Sequence, residues 1–280
     1  MPKTISEGFK HRALSKRSRF PYQIYRGKVM YQLKQLILSL LSKTPYNLQK
    51  KLPASTFESV ELALAYYWSL NPDATLVQIG ACDGVSNDPI SGFIRRQKIR
   101  AILVEPIENS FRKLKTVYED IPSVELVQAA IAQQDGSVTF YKVSETGRWT
   151  DSTCAPQWSS FNKQHLLKHG VKLNEIEAIT VPCLSLRSLI EQFDLSKIDF
   201  LQIDTEGFDA TVVEMALSLE NTPDCINFEN AHITPQDKES LFRSLEASGY
   251  VWTHNGLNTL ALHRRVISQW GEPVHFPIAH

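Results

Sequence analysis

Only four cysteines occur in the sequence, Cys82, Cys154, Cys183 and Cys225, and no two of them form a C-x-x-C pair or stand at a metal-ligand spacing. That removes a cysteine metal centre and a redox pair from consideration. Cys183 and Cys225 lie in apolar surroundings and read as plain buried thiols, so a reducing, cytoplasmic compartment is expected. The first residues are polar and basic, without the apolar segment of a signal peptide. No internal repeat or low-complexity tract appears. Missing too is the G-x-G-x-x-G of a dinucleotide site, which sets a helix amino terminus against a pyrophosphate. Net charge is also absent, since 30 Lys and Arg balance 30 Asp and Glu.

That balance conceals an asymmetry. Residues 1–51 hold twelve Lys/Arg and one acid, Glu7, which leaves eighteen Lys/Arg against twenty-nine acids in the rest of the chain. Within this arm Val29, Met30, Leu33, Leu36, Ile37, Leu40 and Leu41 follow helical spacing, with Lys28, Lys34 and Lys43 around them. The stretch is too short, and at Lys34 too charged, to span a bilayer. Residues 1–52 are therefore expected to be a basic, partly helical extension that caps the domain behind it or pairs with a second copy in a homo-oligomer. Peripheral contact with an anionic inner membrane surface is the alternative. Nucleic acid is not expected, because aromatic residues do not interleave the basic ones.

Residues 53–280 suit one α/β domain. Thr75-Leu76-Val77-Gln78-Ile79 is a short apolar run that empties into Gly80-Ala81-Cys82-Asp83-Gly84, and Ala101-Ile102-Leu103-Val104 ends at Glu105-Pro106 twenty-one residues after Gly84. In a doubly wound sheet these two places are neighbours at the carboxyl edge, where a nucleoside can lie. Glycines let the backbone approach it, and a carboxylate accepts from both hydroxyls of a ribose. With Cys82 at the middle glycine position the turn makes a poor pyrophosphate cradle. A phosphate-free adenosine cofactor fits better.

Further along, Phe200-Leu201-Gln202-Ile203 reads as a buried strand followed by Asp204, Thr205, Glu206 and Gly207, and a helix is expected over 210–219. Cys225–Phe228 likewise ends in an acid, Glu229, with His232 three residues on. Ser55-Thr56-Phe57-Glu58 is a capping box for a helix to about Leu70. Asn87-Asp88-Pro89 reads as a helix start with proline in its first turn. Helices are also expected over 111–118 and 185–193, and strands over 124–128 and 137–143. Residues 144–180 show no strand pattern, and an insertion of that length is usually functional or mobile. A terminal hairpin is expected around Asn255-Gly256.

On these residues the chain resembles the FkbM-type methyltransferases, a branch of the class I S-adenosylmethionine-dependent enzymes. The resemblance covers about 76–262. It rests on Gln78-Ile79-Gly80-Ala81-Cys82-Asp83-Gly84, Val104-Glu105-Pro106, Ala130-Ile131-Ala132 with Asp135-Gly136, and above all Gln202-Ile203-Asp204-Thr205-Glu206-Gly207-Phe208-Asp209. The family often has an acid at Gln78, an asparagine at Cys82 and a lysine at Gln202. The resemblance implies a Rossmann-like, mostly parallel twisted sheet of about seven strands, closed by an antiparallel terminal hairpin, with a core over about 75–262. The 144–180 insertion, through Ser160-Phe161 and the helix Gln164–His169, would cover the substrate.

S-adenosyl-L-methionine is the implied cofactor, held by Gln78, Gly80, Ala81, Asp83, Gly84, Glu105, Pro106, Gln128, Ala129 and Asp204. Methyl transfer needs an aligned acceptor and a base for its proton. Asp204 is the best-placed base, with Glu206, Glu229 and His232 as the other candidates. Three carboxylates and a histidine can also hold Mg²⁺, but a metal-free site is the favoured reading. The acceptor is expected to be a hydroxyl of a sugar or secondary metabolite. A nicotinamide-dependent oxidoreductase and a non-catalytic adenosine-binding or membrane-associated scaffold are the rival readings.

Overall fold

The computed structural model describes residues 59–144, 149 and 158–269. The basic arm and the Ser55–Glu58 capping box lie outside them. The elements run α1 (Ser59–Leu70), β1 (Thr75–Ile79), α2 (Ser91–Gln97), β2 (Arg100–Val104), α3 (Glu108–Tyr118), β3 (Val124–Val127), β4 (Ala130–Ile131), β5 (Gly136–Val143) and α4 (Lys163–Lys168). There follow β6 (Ile176–Leu184), α5 (Leu186–Gln192), β7 (Phe200–Ile203), α6 (Asp209–Leu217), β8 (Cys225–Glu229), α7 (Pro235–Ala247), β9 (Tyr250–Asn255), β10 (Asn258–His263) and α8 (Arg264–Gln269).

Seven strands form the main sheet in the order β3-β2-β1-β7-β8-β10-β9. The first five are mutually parallel, and β10 is antiparallel to both β8 and β9. The apolar runs seen in sequence are near-continuous because helices cover both faces. On one face Val77, Ile79, Leu201, Ile203 and Phe228 pack with Leu189 of α5, Val212 and Val213 of α6, and Leu241 of α7. Leu76, Ala101, Leu103 and Phe200 point to the other face, against Leu64 and Tyr67 of α1, Phe93 of α2 and Leu114 of α3. The amino-terminal edge is tied by charge: Asp224 accepts from Tyr67 Oη at 2.5 Å, Lys197 Nζ at 2.5 Å and Arg265 Nε at 2.5 Å.

Two expectations need correction. Helix α2 begins at Ser91 and not around Pro89, because the Asp88 carboxylate stands in for its first turn, accepting from Ile90 N and Ser91 N at 2.9 Å each. The 144–180 insertion does contain strand structure: β6 starts at Ile176, antiparallel to β5 and parallel to β4 in a separate three-stranded sheet. Pro182 and an irregular apolar pattern hid it. The expected helix over Gln164–His169 is α4, one residue earlier at each end.

Candidate active site

Register places the site. Ile79 pairs with Val104 and with Ile203, and Ile203 pairs with Phe228. The next residue of each strand therefore falls in one row along the carboxyl edge: Glu105, Gly80, Asp204, Glu229. Hydrogen bonds carry the ladder this extra step, from Gly80 N to Val104 O (2.9 Å), Glu105 N to Val127 O (3.0 Å) and Asp204 N to Ile79 O (2.9 Å). Strand neighbours stand about 4.8 Å apart, so the row spans a cofactor-sized groove. The chain reverses direction across the sheet between β1 and β7, which is the switch point where open α/β sheets bind ligands.

A cavity of about 290 Å³ opens there, lined by Gln78, Gly80, Ala81, Glu105, Pro106, Ala129, Asp204, Glu206 and Glu229, among others. That is near the lower end of ligand pockets, about 300–1,000 Å³. Asp83, Gly84, Gln128 and His232 lie outside the lining. Asp83 instead braces the turn, accepting from Val85 N (3.0 Å) and Ser86 N (2.8 Å). A Cβ on Gly84 would meet Leu114 Cδ1 at 2.7 Å and Tyr118 Cε2 at 2.8 Å. Gly84 thus lets the turn pack on α3, a task different from the cofactor approach read in the sequence. Gln128 continues the edge row beside Glu105 but is exposed.

Glu105 is only 5% exposed. Its two oxygens accept from the backbone amides of Cys82 (2.9 Å) and Ile107 (2.7 Å). Each oxygen keeps a lone pair for a further donor. Burial pushes its carboxyl up to about 7, against the pull of those amides. Cys82 holds φ 47°, a left-handed conformation that asparagine takes more readily than most residues. Burial, with the Glu105 and Asp83 charges, pushes its thiol up to about 12, which makes it an inert neighbour.

Gln78 supplies an unmet acceptor. Its Nε2 donates to Asp88 Oδ2 at 3.0 Å, while its buried Oε1 has no hydrogen-bond partner. A buried orphan of this kind calls for an explanation, and an ammonium group of a bound ligand provides one. Beneath it, Gln202 accepts from Asn227 Nδ2 at 2.8 Å.

The far half of the cavity is acidic. Burial raises Asp204 well above its ordinary range, and the charges of Asp209, Glu206 and Glu229 add to the effect. Glu229 is pushed up to about 7 by burial and then by Glu206 and Asp209. Burial takes Asp209 to about 6, although the amides of Thr205 and Gly207 donate to it. It holds the turn shut. Glu206 sits at φ 53°, a conformation that strains a non-glycine residue and is found disproportionately at functional sites. His232 Nε2 approaches Glu229 Oε2 (3.5 Å) and Glu206 Oε2 (3.7 Å) from the rim.

Sequence reading missed the part played by His165. It is buried on α4, with its Nε2 2.8 Å from Glu206 Oε2. Ser160 Oγ donates to Glu206 O at 2.7 Å, and Tyr141 and Ser160 exchange backbone hydrogen bonds of 2.9 Å. The segment is therefore fastened to both β5 and the Glu206 turn. The only advance signal was the four-residue spacing of His165 and His169.

The sheet order, the antiparallel β10 and a cavity at the switch point define the class I methyltransferase fold. Within it, the methyltransferase FkbM domain matches residues 78–250, and the chain belongs to that family. No curated protein matches the chain. Among solved structures it is similar to methyltransferase FkbM from Methylobacillus flagellatus KT, at 13% identity and a TM-score of 0.44 over 85% of this chain and 60% of that one. The chain thus spans less than two thirds of that relative. An O-methyltransferase from Bacillus cereus in complex with SAH is similar at 12% identity and a TM-score of 0.38, over 82% and 90% of the two chains. Fibrillarin from Aeropyrum pernix, with natively bound S-adenosyl-L-methionine, is similar at 10% identity and a TM-score of 0.35, over 68% and 66%. Among the described residues no helix is long and apolar enough to cross a membrane.

Glu105 gives the site an expected pH signature of two opposite signs. Its folded-state value of about 7 exceeds the ordinary 4.5. Between these values the folded chain keeps a proton that the unfolded chain has released. The stability this group contributes is therefore full at low pH and is lost as pH climbs through about 7. A ribose diol that donated to this group would call for the ionised carboxylate, so on that reading affinity rises over the same interval. Calorimetric titration with S-adenosylmethionine between pH 5.5 and 8.5, beside melting curves without it, checks both. An affinity that does not change with pH would contradict the assignment.

Proposed function

We propose that this chain is an S-adenosylmethionine-dependent methyltransferase that methylates a hydroxyl oxygen of a small molecule or saccharide. The observation that carries the reading is the single row Glu105, Gly80, Asp204, Glu229. It makes the donor half of the cavity continuous with a half rich in proton acceptors. Glu105 would take the ribose hydroxyls, and Gln78 Oε1, beside Asp88, would accept from the ammonium of the methionine tail. S-adenosylmethionine, when bound, supplies a methyl group already activated on a sulfonium.

The protein's own task is then to orient the acceptor and remove its proton. Asp204 is the leading base, with Glu229 beside it. Burial and crowding by like charge raise both, and Glu229 reaches about 7, where a carboxylate works as a base near neutrality. Glu206 and His232 flank them. The same acid cluster repels phosphate and so disfavours a nucleic-acid acceptor. Phe140, Phe161 and the exposed Leu257 offer apolar contact at the cavity wall.

The test is incubation with methyl-labelled S-adenosylmethionine and a panel of sugars, hydroxylated metabolites and RNA. Label on a hydroxyl compound is expected. Transfer to RNA alone would contradict the acceptor class, and tighter binding of NAD than of S-adenosylmethionine would favour the oxidoreductase reading.

A further inference from the structure

We propose that His165, His169, His232 and Glu206 form a binding site for one divalent transition-metal ion of the zinc class, which clasps the covering segment to the sheet edge. Their four ligand atoms lie within 4.8 Å of one another. Imidazole ring centres are 4.6 Å apart for His165 and His169, 4.5 Å for His165 and His232, and 5.5 Å for His169 and His232. A tetrahedral zinc with bonds of about 2.0–2.2 Å sets its donors roughly 3.3–3.6 Å apart. Modest side-chain rotations close that difference.

A second observation points to a ligand independently of the clustering. His165 is 5% exposed, and its Nε2 has no hydrogen-bond partner. The nitrogen lies 2.8 Å from Glu206 Oε2 but is out of line for a hydrogen bond. A buried nitrogen so close to a carboxylate, and making no hydrogen bond with it, stands among the other donor atoms of the group. Buried Glu229 Oε2, 3.5 Å from His232 Nε2, likewise makes no hydrogen bond. Ionised carboxylates only accept, so they cannot meet the lone pairs of three converging imidazoles, whereas a cation can.

The donor set selects the ion. Mg²⁺ prefers oxygen ligands and retains its waters, which three imidazoles do not suit. Nitrogen-rich sites take zinc, cobalt, nickel or copper. The supporting structure is built for such a role. His165 and His169 are four residues apart, on one face at the end of α4. Asn162 caps that helix by accepting from Gln164 N at 2.9 Å, and Trp158 stacks on His169 at 5.0 Å and 14°. Two donors come from the covering segment, one from the turn after β7 and one from the loop after β8. With four protein donors the ion is enclosed, so its role is to fix the segment over the cavity.

The experiment uses the full, tag-free chain, stripped with chelator and then freed of it. The chain is titrated with Zn²⁺ by calorimetry and with Co²⁺ by visible absorption, with no cofactor present. Failure of this proposal is therefore separate from failure of the methyltransferase reading. One ion per chain is expected, with a tetrahedral Co²⁺ spectrum, a higher Tm and slower proteolysis within residues 158–175. His169→Ala, at a half-buried position that should fold, is expected to lose at least about a hundredfold in Zn²⁺ affinity and to lose the Co²⁺ spectrum. His232→Ala should do the same from the other element. Absence of a stoichiometric ion in the wild type would overturn the proposal. So would undiminished binding in either variant.

Discussion

Asp204→Asn is expected to lower turnover on the true acceptor by on the order of a hundredfold or more, while raising the melting temperature of the ligand-free protein. Both effects come from one carboxylate. It ends β7 beside Gly80, lines the cavity, and is held well above its ordinary range by burial and by Asp209, Glu206, Glu229 and Asp88. Near neutrality its ionised form is costly, so asparagine, of the same shape, relieves the like-charge repulsion. The same substitution removes the proton acceptor. Cofactor affinity should change far less than turnover, since Glu105 and Gln78 hold the other half of the cavity. Parallel assays of turnover, S-adenosylmethionine binding and melting separate these effects. Full activity in the variant would move the base to Glu229.

Gly80→Ala is expected to prevent folding. A Cβ at this position would lie 1.8 Å from the carbonyl oxygen of Asp204, and the residue holds φ 82°. Neither side can give way, because Gly80 N is bonded to Val104 O and Asp204 N to Ile79 O. The loss should exceed the roughly 4–5 kcal/mol that marks exceptional single substitutions. Gly136→Ala is the comparison: it too holds a positive φ, 146°, but has nothing within 4 Å of its Cβ, so the difference between the two variants isolates the clash. Soluble yield and circular dichroism report the outcome. A Gly80→Ala protein that melts like the wild type would mean that β1 and β7 do not meet as described.

The parts of this fold that were legible are those whose sequence and burial agree. β1, β2, β7 and β8 are short apolar runs stopped by glycine or an acid. Because they are parallel and in register, their stops coincide at one edge. Knowing where each strand ends was enough to place Glu105, Asp204 and Glu229 together. The glycines were less informative: Gly80 and Gly84 look alike in sequence, yet one packs on the Asp204 carbonyl and the other on α3. Strand β6 escaped because half of it is exposed and Pro182 interrupts it. The histidine cluster was invisible for a different reason. His165 and His232 lie 67 residues apart, and only the packing of α4 against the Glu206 turn brings them together.

Every role proposed above in methyl transfer depends on S-adenosylmethionine binding in the cavity between Glu105 and Asp204. Equilibrium titration of the wild type and Glu105→Gln with that cofactor at pH 8 tests it most directly. The variant keeps the side-chain shape and removes the charge that the ribose hydroxyls would meet. A charge-assisted hydrogen bond contributes about 1.5–3 kcal/mol, so the account predicts saturable binding in the wild type and a loss of about tenfold or more in the folded variant. Equal affinity in the two proteins, or no binding in the wild type, would contradict it.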